Sequence, residues 1–445
     1  MQQLQEHHTN LLREETVALS TYGTEDLNLC KTLPRKVVMI VEPTPFTHIS
    51  GYSNRFRETL KYLKQAGDDV LVIVPDNSFD APQEIYGFPI ISIRGFRFFL
   101  YPKITLSFGL FGGIFSALRR FRPDIVHVST PGFISFAVLF YVWLLRIPLI
   151  LSYHTHLPVY ARTYGLALLE RFSWKLISFV HNKADLSITV SPQLCQELAD
   201  HGIKRIDCWR KAVDTETFHP QFRSEAMRLR LTDGHPDCVL LIYVGRLGAE
   251  KNLTCLRTLI ETVPNVRLAL IGDGPFAKYL RKYFAGTRTH FTGQLRGKEL
   301  SEAFASGDIF VMPSESETMG FVVMEAMASG VPVIGAAAGG IPHLIQHRVT
   351  GYLYTPGDID QLSSLVEQLV NNPWLRKEMS IQARKETERW DWYSATAVLR
   401  NVQYTQAMEN FQQKEKGRKI WNAIQKVILF WWRRSSRLYE SILGR

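Results

Sequence analysis

From Lys36 onward, short runs of Val, Ile and Leu alternate with longer stretches in which apolar residues recur every three or four positions. KVVMIVE, DDVLVIVP, DIVHVS, PLILSYH and LSITVS have the length and β-branched content of buried strands, whereas FRETLKYLKQAG, between the first two, has a helical period. Strands that are apolar throughout and separated by helices predict a mostly parallel sheet with both faces covered, because a parallel neighbour is reached only by a crossover. Beyond residue 214 the pattern restarts with VLLIYVG, a helix over 254–262, then VRLALIG, THFTG, IFVMPS, PVIGA and GYLYTP. The expected fold is therefore α/β: two facing Rossmann-like domains with a cleft between them, over residues 36–211 and 212–392. A helix over 393–410 is expected to cross back to the first domain.

Two stretches bear on membranes. Phe133–Leu145 (FISFAVLFYVWLL) is apolar for 13 residues before Arg146 and Pro148. That is short of the roughly 20 residues a spanning helix needs, so a buried or interfacial helix is predicted. Residues 411–445 form a basic tail in which Ile420, Ile424, Val427, Ile428 and Trp431 share one helical face bordered by Lys419, Lys426, Arg433 and Arg434. This pattern predicts an interfacial helix, the alternative being a helix packed on the first domain. The segment Ala167–Asp185 reads as a core helix or a second amphipathic contact.

The chain has 445 residues, 46% of them apolar, enough for two domains that each bury a core. Its net charge of +10 is uneven: residues 36–211 hold 20 Lys and Arg against 13 Asp and Glu, 212–405 hold 20 against 21, and 406–445 hold 9 against 3. Such asymmetry points to an anionic partner, and without zinc-finger, RRM or KH signatures an anionic membrane surface is favoured over nucleic acid. The five cysteines are scattered without a CxxC pair, which fits a reducing, cytoplasmic setting with peripheral membrane association. Residues 1–35 carry acids and no apolar run, so they predict a disordered tail and no secretory signal.

The chemistry-bearing stretch is SESETMGFVVMEAMASG, where Glu317 and Glu325 stand eight apart around an apolar run. A helix starting near Met319–Gly320, just past the strand IFVMPS, would aim its first amides, through Phe321, at an anion. The two carboxylates would then accept hydroxyls on either side of a bound phosphate. The alternative is a capping Glu317 and a solvated Glu325. VGRLGAEKN places Arg246 and Lys251 after another strand, where two cations suit a diphosphate. GDGP is a weak glycine signal, and the full G-x-G-x-x-G of a nicotinamide site is missing after the first strand. His154 and His156 mimic a metal pair without a third ligand. Asp358-Ile-Asp360 imitates a manganese-binding motif but sits where a helix cap is expected.

In order and spacing, ISGYSNRF, DIVH, SYHTH, GRLGAEK, GDGP, FTGQL, GDIFVMPS, the Glu317/Glu325 pair, AGGIP and TGYL resemble the GT-B glycosyltransferases of family 4, from about Lys36 to Met408. The resemblance implies transfer of a hexose from a nucleotide sugar with retention of configuration, with no cofactor and no bound metal. It makes residues 36–211 the acceptor domain and 212–392 the nucleotide-sugar domain. Carried over, Gly51 would face the diphosphate, His154 the transferred sugar, Arg246 and Lys251 the phosphates, Glu317 the sugar hydroxyls and Glu325 the ribose. VEPTPFTHISGYSNRF, SYHTHLPVYA, FRSEAMRLRL and VMPSESETMGFVVMEAMASG are similar, more narrowly, to sulfoquinovosyl-diacylglycerol synthases, which implies UDP-sulfoquinovose as donor and diacylglycerol as lipid acceptor. Arg55 and Arg162 are then candidates for the sulfonate. Ala212 departs from the glycine the family usually has there, which puts the hinge or base pocket in question. Open alternatives are another hexosyltransferase, using UDP-glucose or GDP-mannose, and a nucleotide-sugar epimerase. The oligomeric state is not legible.

Overall fold

The computed structural model of the chain describes residues 25–47, 51–98, 101–110, 113–154, 156, 158 and 167–418. The first domain is built on ten strands: β1 (Lys36–Ile40), β2 (Asp69–Pro75), β3 (Glu84–Ile85), β4 (Phe88–Ile93), β5 (Phe96–Phe98), β6 (Tyr101–Leu106), β7 (Ile125–Thr130), β8 (Leu149–Tyr153), β9 (Leu186–Thr189) and β10 (Ile206–Cys208). Eight form one sheet in the order β10-β9-β8-β7-β1-β2-β4-β3, parallel except for the β3/β4 edge, and β5/β6 make a separate antiparallel hairpin. The second domain has β11 (Val239–Val244), β12 (Val266–Ile271), β13 (Thr289–Gly293), β14 (Ile309–Met312), β15 (Val333–Ala336) and β16 (Gly351–Tyr354). They pair in the order β13-β12-β11-β14-β15-β16, parallel throughout.

Alternation along β1 shows why the strands are apolar at every position. Val37, Met39 and Val41 face one layer, with Phe56, Leu60 and Leu63 of the Gly51–Gln65 helix. Val38 and Ile40 face the other layer, which holds Ile114 and Leu118, Ile134, Val138 and Val142, and Val180 from three further helices. A strand covered on both sides has no face to leave polar. In each sheet the order reverses beside the first strand, between β1 and β7 and between β11 and β14. Ligands of doubly wound sheets sit beyond the carboxyl ends at such reversals.

The chain passes between the domains twice, and the two passages run together, with the Val213 amide donating to the Trp390 carbonyl at 2.9 Å. Ala212, the departure from the family's glycine, is buried against Trp392 and Ala395 in this junction. After the Trp392–Val398 helix and a π-helical turn over Leu399–Gln403, residues 404–418 continue as helix on the first domain. Leu399, Tyr404 and Ala407 enter that domain's core, and the Tyr404 hydroxyl lies 3.0 Å from His127 Nδ1. Residues 411–418 belong to this helix and not to a free tail, since Lys414 pairs with Asp185 at 2.7 Å. Residues 25–35, expected as part of a disordered tail over 1–35, are packed: Leu29 is buried with Ala66 and Ala397, and Asn401 donates to the Asp26 and Asn28 carbonyls. Apolar Leu29 and the acceptors on its flanks give this segment partners that its polar composition hid. Residues 1–24 and 419–445, with the tail's apolar stripe, lie outside the described residues.

One guanidinium ties these pieces. Arg400, fully buried, holds both oxygens of buried Asp68 at 2.7 and 2.8 Å and donates to the carbonyls of Leu29, Thr32 and Leu33. Removing one partner of such a pair strands the other charge in the interior, at a cost of about 3–5 kcal/mol. Arg400→Leu is therefore expected to lower the stability of the first domain by that amount in urea unfolding and to open residues 25–35 to proteolysis. A shift below about 1 kcal/mol would show that the tie is not structural.

Candidate active site

The second domain's crevice, between the carboxyl ends of β11 and β14, collects most of the residues singled out in the sequence. Gly245–Lys251 leave β11 and run through a 3-10 turn at Ala249–Lys251. Pro313–Gly320 leave β14 and enter the Phe321–Ala328 helix. Lys251 Nζ forms an ion pair with Glu317 across the crevice, and Asn252 donates to Glu315 at 3.0 Å beside it. Arg246 pairs with Glu250, which is almost wholly buried. Glu250 was missed in the sequence, although its place four residues after Arg246 is the spacing at which such pairs form.

Glycines let these loops approach as they do. Gly272, at the end of β12, has φ 143° and lies against Gly245, so that a Cβ on it would fall inside the Gly245 carbonyl. GDGP thus serves as a close approach between strand ends. On the other side, Gly339 and Gly340 press on the backbone of Glu317 and Thr318, and the Gly340 amide donates to the Glu317 carbonyl at 2.7 Å. Gly320 caps the helix in the left-handed region at φ 78°, open to few other residues. The Val323 amide already donates to the Gly320 carbonyl at 2.9 Å, and in an α-helix the amides before it, of Phe321 and Val322, have no intrahelical acceptor. The sequence placed the helix start correctly, within one residue of Gly320.

Glu325, one turn into this helix, is partly buried and has no hydrogen-bond or ion-pair partner among the described residues. Burial pushes its carboxyl up to about 7, and the negative charge of Asp214 adds to the effect. Met319 and Phe321 turn their side chains to the domain junction, where they meet Arg55. Gly51 opens the helix that carries Arg55.

Arg55 does not line the cleft as the sulfonate reading required. It is fully buried and donates to the Arg210 carbonyl at 3.1 Å and the Met319 Sδ at 2.9 Å. The rings of Trp209, Phe321 and Trp392 lie 4.7, 5.5 and 5.6 Å from its guanidinium carbon. Burial lowers its pKa to about 9. No sequence pattern signals this cage, because its members come from three distant segments. Arg162 lies outside the described residues.

His154, at the end of β8, belongs to the same junction. Its Nε2 lies 2.9 Å from Ser152 Oγ, its ring meets Phe56 and Trp209, and its carbonyl accepts from Thr318 Oγ1 of the second domain at 3.2 Å. Burial, together with the charge of Arg55, holds the imidazole well below its usual pKa, so it is neutral. His156 bonds Glu197 at 2.7 Å. Asp358 caps the Ile359–Asn371 helix by accepting from the Gln361 amide, as expected of a helix start. Among the described residues no three His, Cys, Asp or Glu side chains form a metal-binding group.

The other reversal, between β1 and β7, is closed by a carboxylate that sequence reasoning overlooked. Buried Glu42 accepts from the amides of Ser107 at 2.5 Å and Ile134 at 3.0 Å. Burial raises its carboxyl to about 7 against the pull of these amides. It occupies the start of the Ile134–Leu145 helix, so this anion position in the first domain is already filled.

Comparison with known proteins follows the same division. A family described as "Glycosyltransferase Family 4" matches residues 49–217, and one described as "Glycosyl transferases group 1" matches residues 235–386. The sulfoquinovosyl transferase of Arabidopsis thaliana is 43% identical over 86% of this chain and 76% of its own length. A GDP-mannose-dependent alpha-mannosyltransferase of Corynebacterium glutamicum is 34% identical over 82% of this chain and 88% of its own. Among solved structures, HepE of Anabaena in complex with UDP-glucose superposes with TM-score 0.66 at 18% identity, covering 84% of this chain and 99% of that one. Sucrose-phosphate synthase of Thermosynechococcus elongatus does so with TM-score 0.67 at 19%, covering 87% and 100%. With two Rossmann-like domains and matches to both halves, the chain belongs to the group 1, family 4 glycosyltransferases and has their GT-B fold.

Proposed function

We propose that this glycosyltransferase moves sulfoquinovose, with retention of configuration, from UDP-sulfoquinovose to diacylglycerol, acting as a cytoplasmic enzyme at a membrane surface. The observation that carries a nucleotide-sugar donor is the pairing of Arg246 and Lys251 behind β11 with Glu317 and a helix start behind β14. Support for the sugar comes from the Arabidopsis thaliana relative, which is named for sulfoquinovosyl transfer.

In this reading the donor diphosphate takes the place of the carboxylates that now hold Lys251 and Arg246. Glu317, released from Lys251, then turns to the sugar hydroxyls. As the glycosidic bond breaks, negative charge collects on the diphosphate, and fixed cations with helix amides stabilise it without reorganising. The acceptor hydroxyl attacks from the face the diphosphate leaves, which needs no protein nucleophile and preserves configuration. Glu325 accepts the ribose hydroxyls. Neutral His154 contributes by shaping the junction beside the sugar.

A second reading, a mannosyltransferase using GDP-mannose, is favoured by the Corynebacterium glutamicum relative. Both donors share the diphosphate and ribose contacts, so competition assays separate them. Purified enzyme is expected to turn over UDP-sulfoquinovose at least tenfold faster than UDP-glucose or GDP-mannose with diacylglycerol as acceptor. Faster transfer from GDP-mannose would replace this assignment.

Arg246→Met and Lys251→Met should each lower kcat by on the order of 10²-fold or more. A loss confined to KM would show that these cations bind the ground state alone. For Glu325, the ribose acceptor is the ionised form. UDP-glucose affinity, measured by calorimetry, is thus expected to rise as pH passes upward through about 7, where the proton leaves. Glu325→Gln should flatten that profile, and an unchanged slope would remove Glu325 from the ribose.

A further inference from the structure

We propose that the outer face of the first domain, formed by the Ile134–Leu145 and Ala167–Lys183 helices, docks on an anionic bilayer surface. The proposal deepens the reading of a lipid acceptor and rests on it for its purpose, though not for its geometry. Both helices lie on the same face of the sheet, since Ile134, Val138, Val142 and Val180 enter one core cluster with Val38, Ile40 and Val128. Each then turns a row of large apolar side chains outward. On the first helix these are Phe136, Phe140, Trp143 and Leu144, with Phe140 56% and Trp143 58% exposed. On the second they are Phe172, Leu176 and Phe179, with Phe172 60% and Phe179 56% exposed. The spacings of four and three residues keep each row on one side of its helix. Single exposed apolar residues are ordinary on a protein surface, but two rows on neighbouring helices are not.

Charge selects the occupant. The Ile134–Leu145 helix carries no charged residue, and the Ala167–Lys183 helix carries exposed Arg171, Lys175 and Lys183 with Glu170 as its acid. Exposed Arg146 ends the first helix, with Glu415 at 3.6 Å, and exposed Lys204 lies by the end of the second, its amide donating to Asn182. Aromatic rings within a cationic rim match the headgroup level of an anionic leaflet. A second copy meeting this face across a two-fold axis would set the same cations against each other. No helix among the described residues is long and apolar enough to cross a membrane, so the face would lie on the surface. The apolar strip also continues toward the cleft. Phe133 precedes the first helix at the carboxyl end of β7 and meets Phe108, which stacks on Phe96, both pairs with ring centres 5.1 Å apart. An acyl chain following it would carry its hydroxyl from the bilayer to the cleft mouth.

Sedimentation of the full chain with phosphatidylcholine vesicles, with and without phosphatidylglycerol, tests this surface. The pair Phe140→Ser with Trp143→Ser and the pair Phe172→Ser with Phe179→Ser are each expected to weaken partitioning at least tenfold. Lys175→Glu with Lys183→Glu should abolish the gain from phosphatidylglycerol. Trp374→Ser, at an exposed aromatic of the second domain, should change nothing. UDP-glucose affinity, equal in all variants, confirms folding. Vesicle binding undiminished in both serine pairs would overturn the proposal, as would a dimer that these pairs dissociate and that binds no vesicles. If vesicles bind as expected but no sugar reaches diacylglycerol, the acceptor assignment fails and the docking surface stands.

Discussion

The loops that leave β11 and β14 are joined by the Lys251–Glu317 pair, and each is backed by a glycine contact from the end of the strand on its other side, Gly272 against Gly245 and Gly339 with Gly340 against Glu317 and Thr318. Neither part suffices alone. An ion pair between long side chains contributes little where water reaches it, but these two are largely shielded, at 12% and 17% exposure. Each loop is held from behind because Gly272, against Gly245, and Gly339 and Gly340, against Glu317 and Thr318, present no side chain to the carbonyls they meet. A larger residue would part the loops, hydrate the pair and lose the fixed geometry that makes cations useful to a developing charge.

The two domains divide the work by what they leave open at their sheet reversals. In the first, Glu42 fills the position beside the Ile134–Leu145 helix start and is itself held by backbone amides. In the second, the corresponding helix start is capped by Gly320, which offers no side-chain acceptor. The two helix starts differ in that one is met by a buried carboxylate and the other is capped by a glycine.

Much of this was legible in the chain. Apolar runs gave the strands and their burial, since a two-sided core leaves every position apolar. The strand-end positions of Arg246, Lys251, Glu317 and Gly320 followed from motif order. Contacts between distant segments were not legible. Arg400 looks like any surface arginine in AVLRNV, yet it holds Asp68 and the backbone of residues 29–33. Arg55 reads as a polar residue on an amphipathic helix, and only the convergence of Trp209, Phe321 and Trp392 buries it. Residues 25–35, polar and without an apolar run, concealed a segment held largely through its backbone carbonyls.

Arg55 also explains how the junction can serve the site without touching it. A guanidinium whose pKa is lowered only to about 9 remains charged at neutral pH, and no carboxylate pairs with it among the described residues. Aromatic faces and a carbonyl offset part of its desolvation but leave its net charge in place. Since it contacts Met319 and Phe321, on either side of the Gly320 cap, its charge lies behind the helix start, where the helix dipole is also positive. Two sources of positive potential therefore point into one crevice, each fixed in the fold before any ligand arrives. They belong to different domains, since Arg55 comes from the first domain and the helix from the second.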